Sequence, residues 1–198
     1  MLTLYLTPGA SSMAPHIALN ELGVPFETRP IRLDGKENRT AAYLALNPEG
    51  KVPTLVIDGQ PLTEVAAILF YLAKRFPEAR LWPEGDLEAE AQAISWMSFI
   101  ASTIHPARRI GEARWAEVFR IADRRLAGRD WAVGRYSVAD IHLFRLYWRF
   151  VNSQQPQAAD YPHLTAHYDR MLARQAVRRT CEIEAAIGYD LPGLTPPR

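Results

Sequence analysis

The chain is short of the features that announce many functions. Its 198 residues contain one cysteine, Cys181, so no disulfide can form within it, and that usage suits a reducing compartment. Neither charge sign dominates: 23 Lys and Arg stand against 22 Asp and Glu, a net charge of +1. Such balance gives no electrostatic reason to expect a nucleic acid or an anionic membrane as partner. No apolar run approaches the roughly 18 residues that span a bilayer. The opening MLTLYLTPGA lacks a basic stretch and is broken by Pro8 and Gly9, so it does not read as a signal peptide. The expectation is a soluble, cytoplasmic protein. The five histidines are scattered and the cysteine has no partner ligand, so no metal site is expected. Gly9, Gly23 and Gly35 do not make a dinucleotide fingerprint, and there is no P-loop, internal repeat or low-complexity segment.

What is present centres on Asn47 to Leu72, NPEGKVPTLVIDGQPLTEVAAILFYL. Asn47-Pro48-Glu49-Gly50 is turn chemistry, because Pro fixes φ and Gly tolerates positive φ. Val52-Pro53 precedes the apolar run Thr54 to Ile57. Proline donates nothing to a ladder and belongs at a strand entry, and X-Pro is the one bond where cis is cheap. A cis bond would turn the Val52 N–H and C=O outward, where an extended peptide can pair with them. Asp58-Gly59 predicts a hairpin to Pro61-Leu62, and Thr63 is the expected N-cap of the following helix. The free N–H groups of its first turn can hold a carboxylate, and Glu64 beside them can take an ammonium. Such a set suits a short peptide with a free amino acid end, although an ordinary ββα unit is built from the same residues.

Before this unit, Leu2 to Leu6 reads as a strand. Thr7-Pro8-Gly9-Ala10 breaks it, and a helix ends at Gly23. Phe26 to Leu33 reads as a second strand. The order is β-α-β, an irregular link, then β-β-α: a thioredoxin-like arrangement with a parallel first pair and an antiparallel hairpin. Leu81 to Gly85 is the linker candidate. Beyond it every pattern is helical. One helix runs from Asp86 to about Ile104, where His105-Pro106 ends or kinks it. Another spans Glu112 to Leu126. A capping box, Ser137 with Asp140, opens a helix apolar on nearly every side. Two more helices cover Tyr161 to Arg174 and Ala176 to Ala186, and the tail GYDLPGLTPPR is too rich in Pro and Gly to be regular.

NPEGKVPTL followed by LTEVAAILFYLA resembles the second half of the thioredoxin-like domain of soluble glutathione transferases. There the segment forms the glutathione-binding half of the site, and its proline is cis. YLTPGASSMAPHIALNELG and WMSFIASTIHPA extend the resemblance over most of the chain and point to the bacterial beta class. The Ser137-x-x-Asp140 signal matches the folding motif of the family's C-terminal domains. The resemblance implies a thioredoxin-like α/β domain over 1–80, a linker over 81–85 and an all-α helical bundle domain over 86–198. It implies glutathione as co-substrate without a metal, a small electrophile as second substrate, and a homodimer.

By matching positions, Lys36 would hold the glycyl carboxylate and Val52 the cysteinyl backbone, flanked by Lys51 and Pro53. Glu64 and the Val65 N–H would hold the γ-glutamyl end. Ser11 would face the sulfur, with Ser12 in reserve and Tyr5 offering a second hydroxyl. Plain helix capping is the alternative for both serines. His105 matches the histidine that the beta class places near the sulfur, though a helix-end histidine satisfied by a carbonyl reads the same way. His16 reads as structural. Ser98 and Ser102, two turns and one turn before His105, would face the same cleft or reach it across a dimer interface.

The chain departs from the class in three places. Ser11 stands where the class has cysteine, which removes mixed-disulfide chemistry and leaves a hydroxyl that can stabilise a thiolate. Val65 stands where a serine or glycine is usual. Only 31 residues separate His105 from Ser137, fewer than beta-class chains usually have. Two functions therefore compete: an enzyme that activates glutathione, and a non-catalytic binding or partner protein of the same fold.

Overall fold

The computed structural model of the chain describes residues 1–189. Strands β1 (Leu2–Leu6), β2 (Glu27–Pro30), β3 (Thr54–Ile57) and β4 (Gln60–Thr63) form one sheet in the order β2-β1-β3-β4. β1 pairs parallel to β2 and antiparallel to β3, and β3 pairs antiparallel to β4. This is the thioredoxin-like order expected. Asp58 and Gly59 both take positive φ, 48° and 88°, as a two-residue hairpin requires. β2 is shorter than expected because the chain leaves the ladder after Pro30.

Helix α1 (Met13–Leu22) ends at Gly23 with φ 64°. The link to β3 is not wholly irregular. It carries a 3-10 turn at Glu37–Arg39 and helix α2 (Ala41–Leu46), capped by the Thr40 hydroxyl accepting from the Tyr43 N–H at 3.3 Å. Gly50 closes this link at φ 60°, where a Cβ would lie 2.7 Å from the Asn38 carbonyl oxygen. Only glycine fits that approach.

Helix α3 (Val65–Arg75) begins one residue later than the Thr63 cap implied. Thr63 pairs with Thr54 in the ladder, so its extended backbone belongs to β4 and Glu64 makes the turn. Residues 81–85 contain no helix or strand, yet Leu81 and Trp82 are buried and the Val138 N–H donates to the Leu81 carbonyl at 3.0 Å.

The rest is helical: α4 (Leu87–Phe99), α5 (His105–Ile110), α6 (Glu112–Leu126), α7 (Val138–Gln154), α8 (Pro162–Leu172) and α9 (Gln175–Ile187). His105-Pro106 neither ends nor breaks the path from α4. A π-helical turn over Ile100–Ile104 widens the backbone just before Pro106, where the ring would otherwise crowd a preceding carbonyl. The capping box of α7 is formed: the Ser137 N–H donates to the Asp140 carboxylate at 2.9 Å, and the Ser137 hydroxyl accepts from the Ala139 N–H. Asp140 also accepts from the Ala132 N–H at 2.7 Å and contacts His167 Nε2 at 3.0 Å. α7 is buried along nearly its whole length, and α1 packs on it and on α9. One continuous apolar core thus runs from the sheet into the bundle. The tail from residue 190 onward lies outside the described residues. Among the described residues no helix is long and apolar enough to cross a membrane.

Candidate functional site

The Val52-Pro53 peptide is cis, and neither the Val52 N–H nor its C=O hydrogen-bonds to another described group. The preceding carbonyl is held in place instead. Lys51 C=O accepts from the Tyr43 hydroxyl at 2.6 Å and from the Asn47 amide at 2.8 Å. The same two side chains bond the Thr54 hydroxyl, at 3.0 and 3.2 Å. The polar contacts thus fall on either side of Val52-Pro53 and leave the Val52 backbone open.

Glu64 has φ 69° and ψ 121°, a region where a side-chain-bearing residue costs about 1–3 kcal/mol. Glu64 stands immediately before Val65 and Ala66, whose first-turn N–H groups lack intrahelical acceptors. Ser11, Val52, Pro53, Glu64, Val65 and Ala66 line one side of a cleft of about 230 Å³. Asn47 and Lys51 join that side, and Ala101, His105, Pro106, Arg109 and His142 of the helical half complete it. Among the described residues no His, Cys, Asp or Glu cluster is arranged for a metal.

The two serines differ. The Ser12 hydroxyl is buried, accepts from the Thr7 N–H and donates to the Thr7 carbonyl, both at 3.0 Å. Ser12 therefore braces the loop and is not available to a ligand. Ser11 lines the cleft, and its hydroxyl has no hydrogen-bond partner among the described residues.

The loop itself is clamped from the helical half. Gly9 N–H donates to Glu184 Oε2 at 2.6 Å, while Arg145 donates to the carbonyls of Gly9 at 2.8 Å and Ala10 at 2.9 Å. Glu184 also meets His16 Nδ1 at 2.9 Å, and both side chains are fully buried. His16 is structural, as expected.

His105 lines the cleft with part of its side chain open to solvent and part packed against the protein. Burial lowers its pKa to about 4, aided by the positive charges of Arg145, Arg109, Arg108 and Lys51. Near neutral pH it is an uncharged imidazole. His142 is buried in α7, its Nδ1 has no partner among the described residues, and burial pushes its pKa down to about 3, with His105 and Arg145 contributing. A histidine near 6.5 when unfolded and near 3 when folded makes the unfolded chain bind the extra proton. Stability is therefore complete above pH 6.5 and falls as pH drops toward 3. Urea unfolding at pH 5 should give a value about 2 kcal/mol below that at pH 7 from this group alone. His142→Gln should flatten that slope; a slope unchanged in the variant assigns it elsewhere.

Several expected residues lie outside the cleft. Lys36 is exposed in a left-handed turn, and Lys51 is the lysine that lines the cleft. Tyr5 packs its ring 5.6 Å from Tyr43 and is not part of the lining. Ser98 and Ser102 are exposed, and the Ser102 hydroxyl donates to the Ser98 carbonyl at 2.8 Å. Regular α-spacing would bring Ser102 near His105, but the π turn between them shifts the phase and Ala101 takes that place. Asn47, Arg109 and His142 were not singled out from the sequence as site residues. Asn47 was visible only as a turn residue, Arg109 as one charge in a basic pair, and His142 as part of an apolar helix. Cys181 is remote on α9, its thiol pushed up to about 12 by burial and by Glu184 and Glu182, so it is protonated and a poor nucleophile.

A more open groove of about 640 Å³ lies beside Glu21, Arg170 and Arg174. Two of its three arginines are already engaged, Arg174 with Glu21 at 2.6 Å and Arg170 with Asp130 at 3.4 Å. It gathers no free hydroxyl and no open strand backbone of the kind found at Ser11 and Val52.

Residues 1–74 match the family model described as the glutathione S-transferase N-terminal domain, and residues 95–175 match its C-terminal domain. Glutathione S-transferase GST-4.5 of Xanthomonas campestris pv. campestris is 30% identical, over 91% of this chain and 98% of its own. The chain belongs to the glutathione S-transferase family.

Solved structures of the family agree with this transferase fold. A sphingomonad glutathione S-transferase complexed with glutathione superposes with a TM-score of 0.82 at 36% identity, covering 92% of this chain and 98% of that one. A bacterial beta-class transferase from Sphingomonas chungbukensis gives 0.81 at 32% identity, covering 92% and 98%. The beta-class likeness drawn from the three sequence segments is thus supported by the fold. In this transferase the thioredoxin-like half supplies one side of the cleft, and the helical half supplies the facing wall.

Proposed function

We propose that this protein binds reduced glutathione in the cleft and stabilises its thiolate for attack on a small electrophile. One observation carries the reading: the Ser11 hydroxyl, the unpaired Val52 backbone and the Glu64 carboxylate converge on one cleft. Glutathione is a short peptide with an ammonium, two carboxylates and a thiol. Val52 would pair with its cysteinyl backbone as a strand pairs with an edge. Glu64 would take the ammonium, the Val65 and Ala66 N–H groups the γ-glutamyl carboxylate, and Lys51, in place of Lys36, the glycyl carboxylate. The Ser11 hydroxyl would then donate to the sulfur, favouring the thiolate. The sulfur lone pair forms the new bond to the electrophilic carbon, and the displaced electron pair leaves with the departing group or takes a proton. His105, uncharged at neutral pH, would donate one N–H or accept the thiol proton.

Within this reading, residues 1–80 form the glutathione-binding half, 81–85 the linker and 86–198 the helical half, in a cytoplasmic homodimer. The exposed apolar side chains of Phe70 on α3 and of Leu87 and Ile94 on α4 are the surface such a dimer would bury. Ser98 and Ser102 lie on the same stretch and would meet glutathione only across that interface.

Isothermal titration with reduced glutathione and with S-methylglutathione tests the reading. Both should bind. If a well-folded sample binds neither, the competing function, a non-catalytic protein of the same fold, takes its place. Glu64→Ala should weaken glutathione by about 10- to 100-fold, the worth of a hydrogen bond to a charged group, and change the rate at saturation far less. Equal affinity in the variant means the ammonium is bound elsewhere.

A further inference from the structure

We infer that the second substrate of this site carries a carboxylate, bound by Arg109. The inference rests on the glutathione reading, because it begins from what glutathione leaves unused. The charged side chains lining the cleft are Lys51, Glu64 and Arg109. Glutathione's ammonium takes Glu64, its glycyl carboxylate takes Lys51, and its other carboxylate takes the start of α3. Lys51 bridges to Glu49, but that pair is exposed on both sides and yields readily to a ligand.

Arg109 remains. It has no hydrogen bond and no ion pair to any described residue. It stands one helical turn beyond His105 on α5, on the wall facing the glutathione side. The cleft offers no second acid to neutralise it, and Arg108 and Arg145 add to the positive field sensed at His105. Arg109 is solvent-exposed at the edge of the cleft, so an uncharged hydrophobic electrophile would make no use of its charge. A carboxylate would meet it through two parallel hydrogen bonds, the geometry guanidinium favours. Buried and unpartnered His142 Nδ1 on the same wall is a further polar atom in a pocket that an all-apolar substrate would not serve. Arg145 does not line the cleft, and its Nε and Nη2 donors are engaged with the Ala10 and Gly9 carbonyls.

The test uses three ligands on the full-length protein: glutathione, S-benzylglutathione and S-(4-carboxybenzyl)glutathione, each titrated calorimetrically into wild type, Arg109→Ala and Arg109→Lys. Wild type should bind the carboxylated conjugate about 20-fold more tightly than the benzyl one. Arg109→Ala should bring that ratio to about one and leave glutathione affinity within about twofold; Arg109→Lys should keep a ratio of about three. A wild-type ratio near one, or a ratio preserved in Arg109→Ala, overturns the inference. So does a loss of glutathione affinity in Arg109→Ala equal to the loss for the carboxylated conjugate, which would place Arg109 in the glutathione subsite. Failure of wild type to bind any of the three overturns the glutathione reading itself, and this inference with it.

Discussion

Arg145→Ala is expected to lower the unfolding free energy by about 3–5 kcal/mol and the melting temperature by about 10 °C. The side chain is almost fully buried and its guanidinium holds the carbonyls of Gly9 and Ala10. Removing it orphans both carbonyls and leaves a cavity in the packed α1–α7 interface. It also leaves Glu184, fully buried and bonded to the Gly9 N–H, without the nearby positive charge that offsets its own. The Gly9 peptide lies between an anion on its N–H and a cation on its C=O, so either loss frees the same loop. Glu184→Ala should therefore be nearly as costly, and the double variant should lose less than the sum of the singles. Full additivity in a double-mutant cycle would mean the clamp is two separate contacts. The clamp sits two residues before Ser11, and displacement of about 1 Å at a reacting group can cost about 100-fold in rate. Activity in Arg145→Ala should thus fall even below the melting transition, where the variant remains folded.

Ser11→Ala is expected to move the pKa of bound glutathione's thiol up by about 1–2 units, the worth of one hydrogen bond to a charged sulfur. The effect on rate depends on pH in a way that a structural defect would not imitate. Below both pKa values the thiolate fraction falls about 10- to 100-fold, while the more basic thiolate regains part of this through its greater nucleophilicity. The net loss near neutral pH is about fivefold. Above both pKa values the variant should match or exceed the parent, because the thiol is ionised in each. Thiolate absorbance near the ultraviolet edge, followed against pH in the binary complex, gives the shift directly. A parallel drop across all pH, with no change in pKa, would assign Ser11 to positioning rather than to thiolate stabilisation. Glutathione affinity at low pH should be unchanged, since the neutral thiol makes little use of the hydroxyl.

The strand order of the thioredoxin-like half and the start of α7 were legible because their signals are local. Asp58-Gly59 makes its own hairpin, Gly23 stops its own helix, and Ser137 with Asp140 closes a capping box across three residues. Helix α2 was not legible, being six residues long, too short for a 3.6-residue period to show. The π turn at Ile100–Ile104 was not legible either, since His105-Pro106 reads as a stop when only the helix interior is considered. That turn moved Ser102 off the face it shared with His105 on paper. Lys36 and Lys51 both precede the strand hairpin as exposed lysines, and only the path of the link through Tyr43 and Asn47 distinguishes them.

By itself the sequence determined the fold class, the cis-compatible Val52-Pro53 strand entry and the carboxylate at the start of α3. Each depends on residues a few positions apart, whose backbone preferences hold in any context. Tertiary structure alone decided which serine is free, which lysine meets the cleft, and that Arg109 and His142 belong to its far wall. Those outcomes depend on contacts between distant segments, such as Gly9 with Glu184 across 175 residues and Ala10 with Arg145 across 135. No local propensity encodes such contacts, because they form only when α1, α7 and α9 pack into one core.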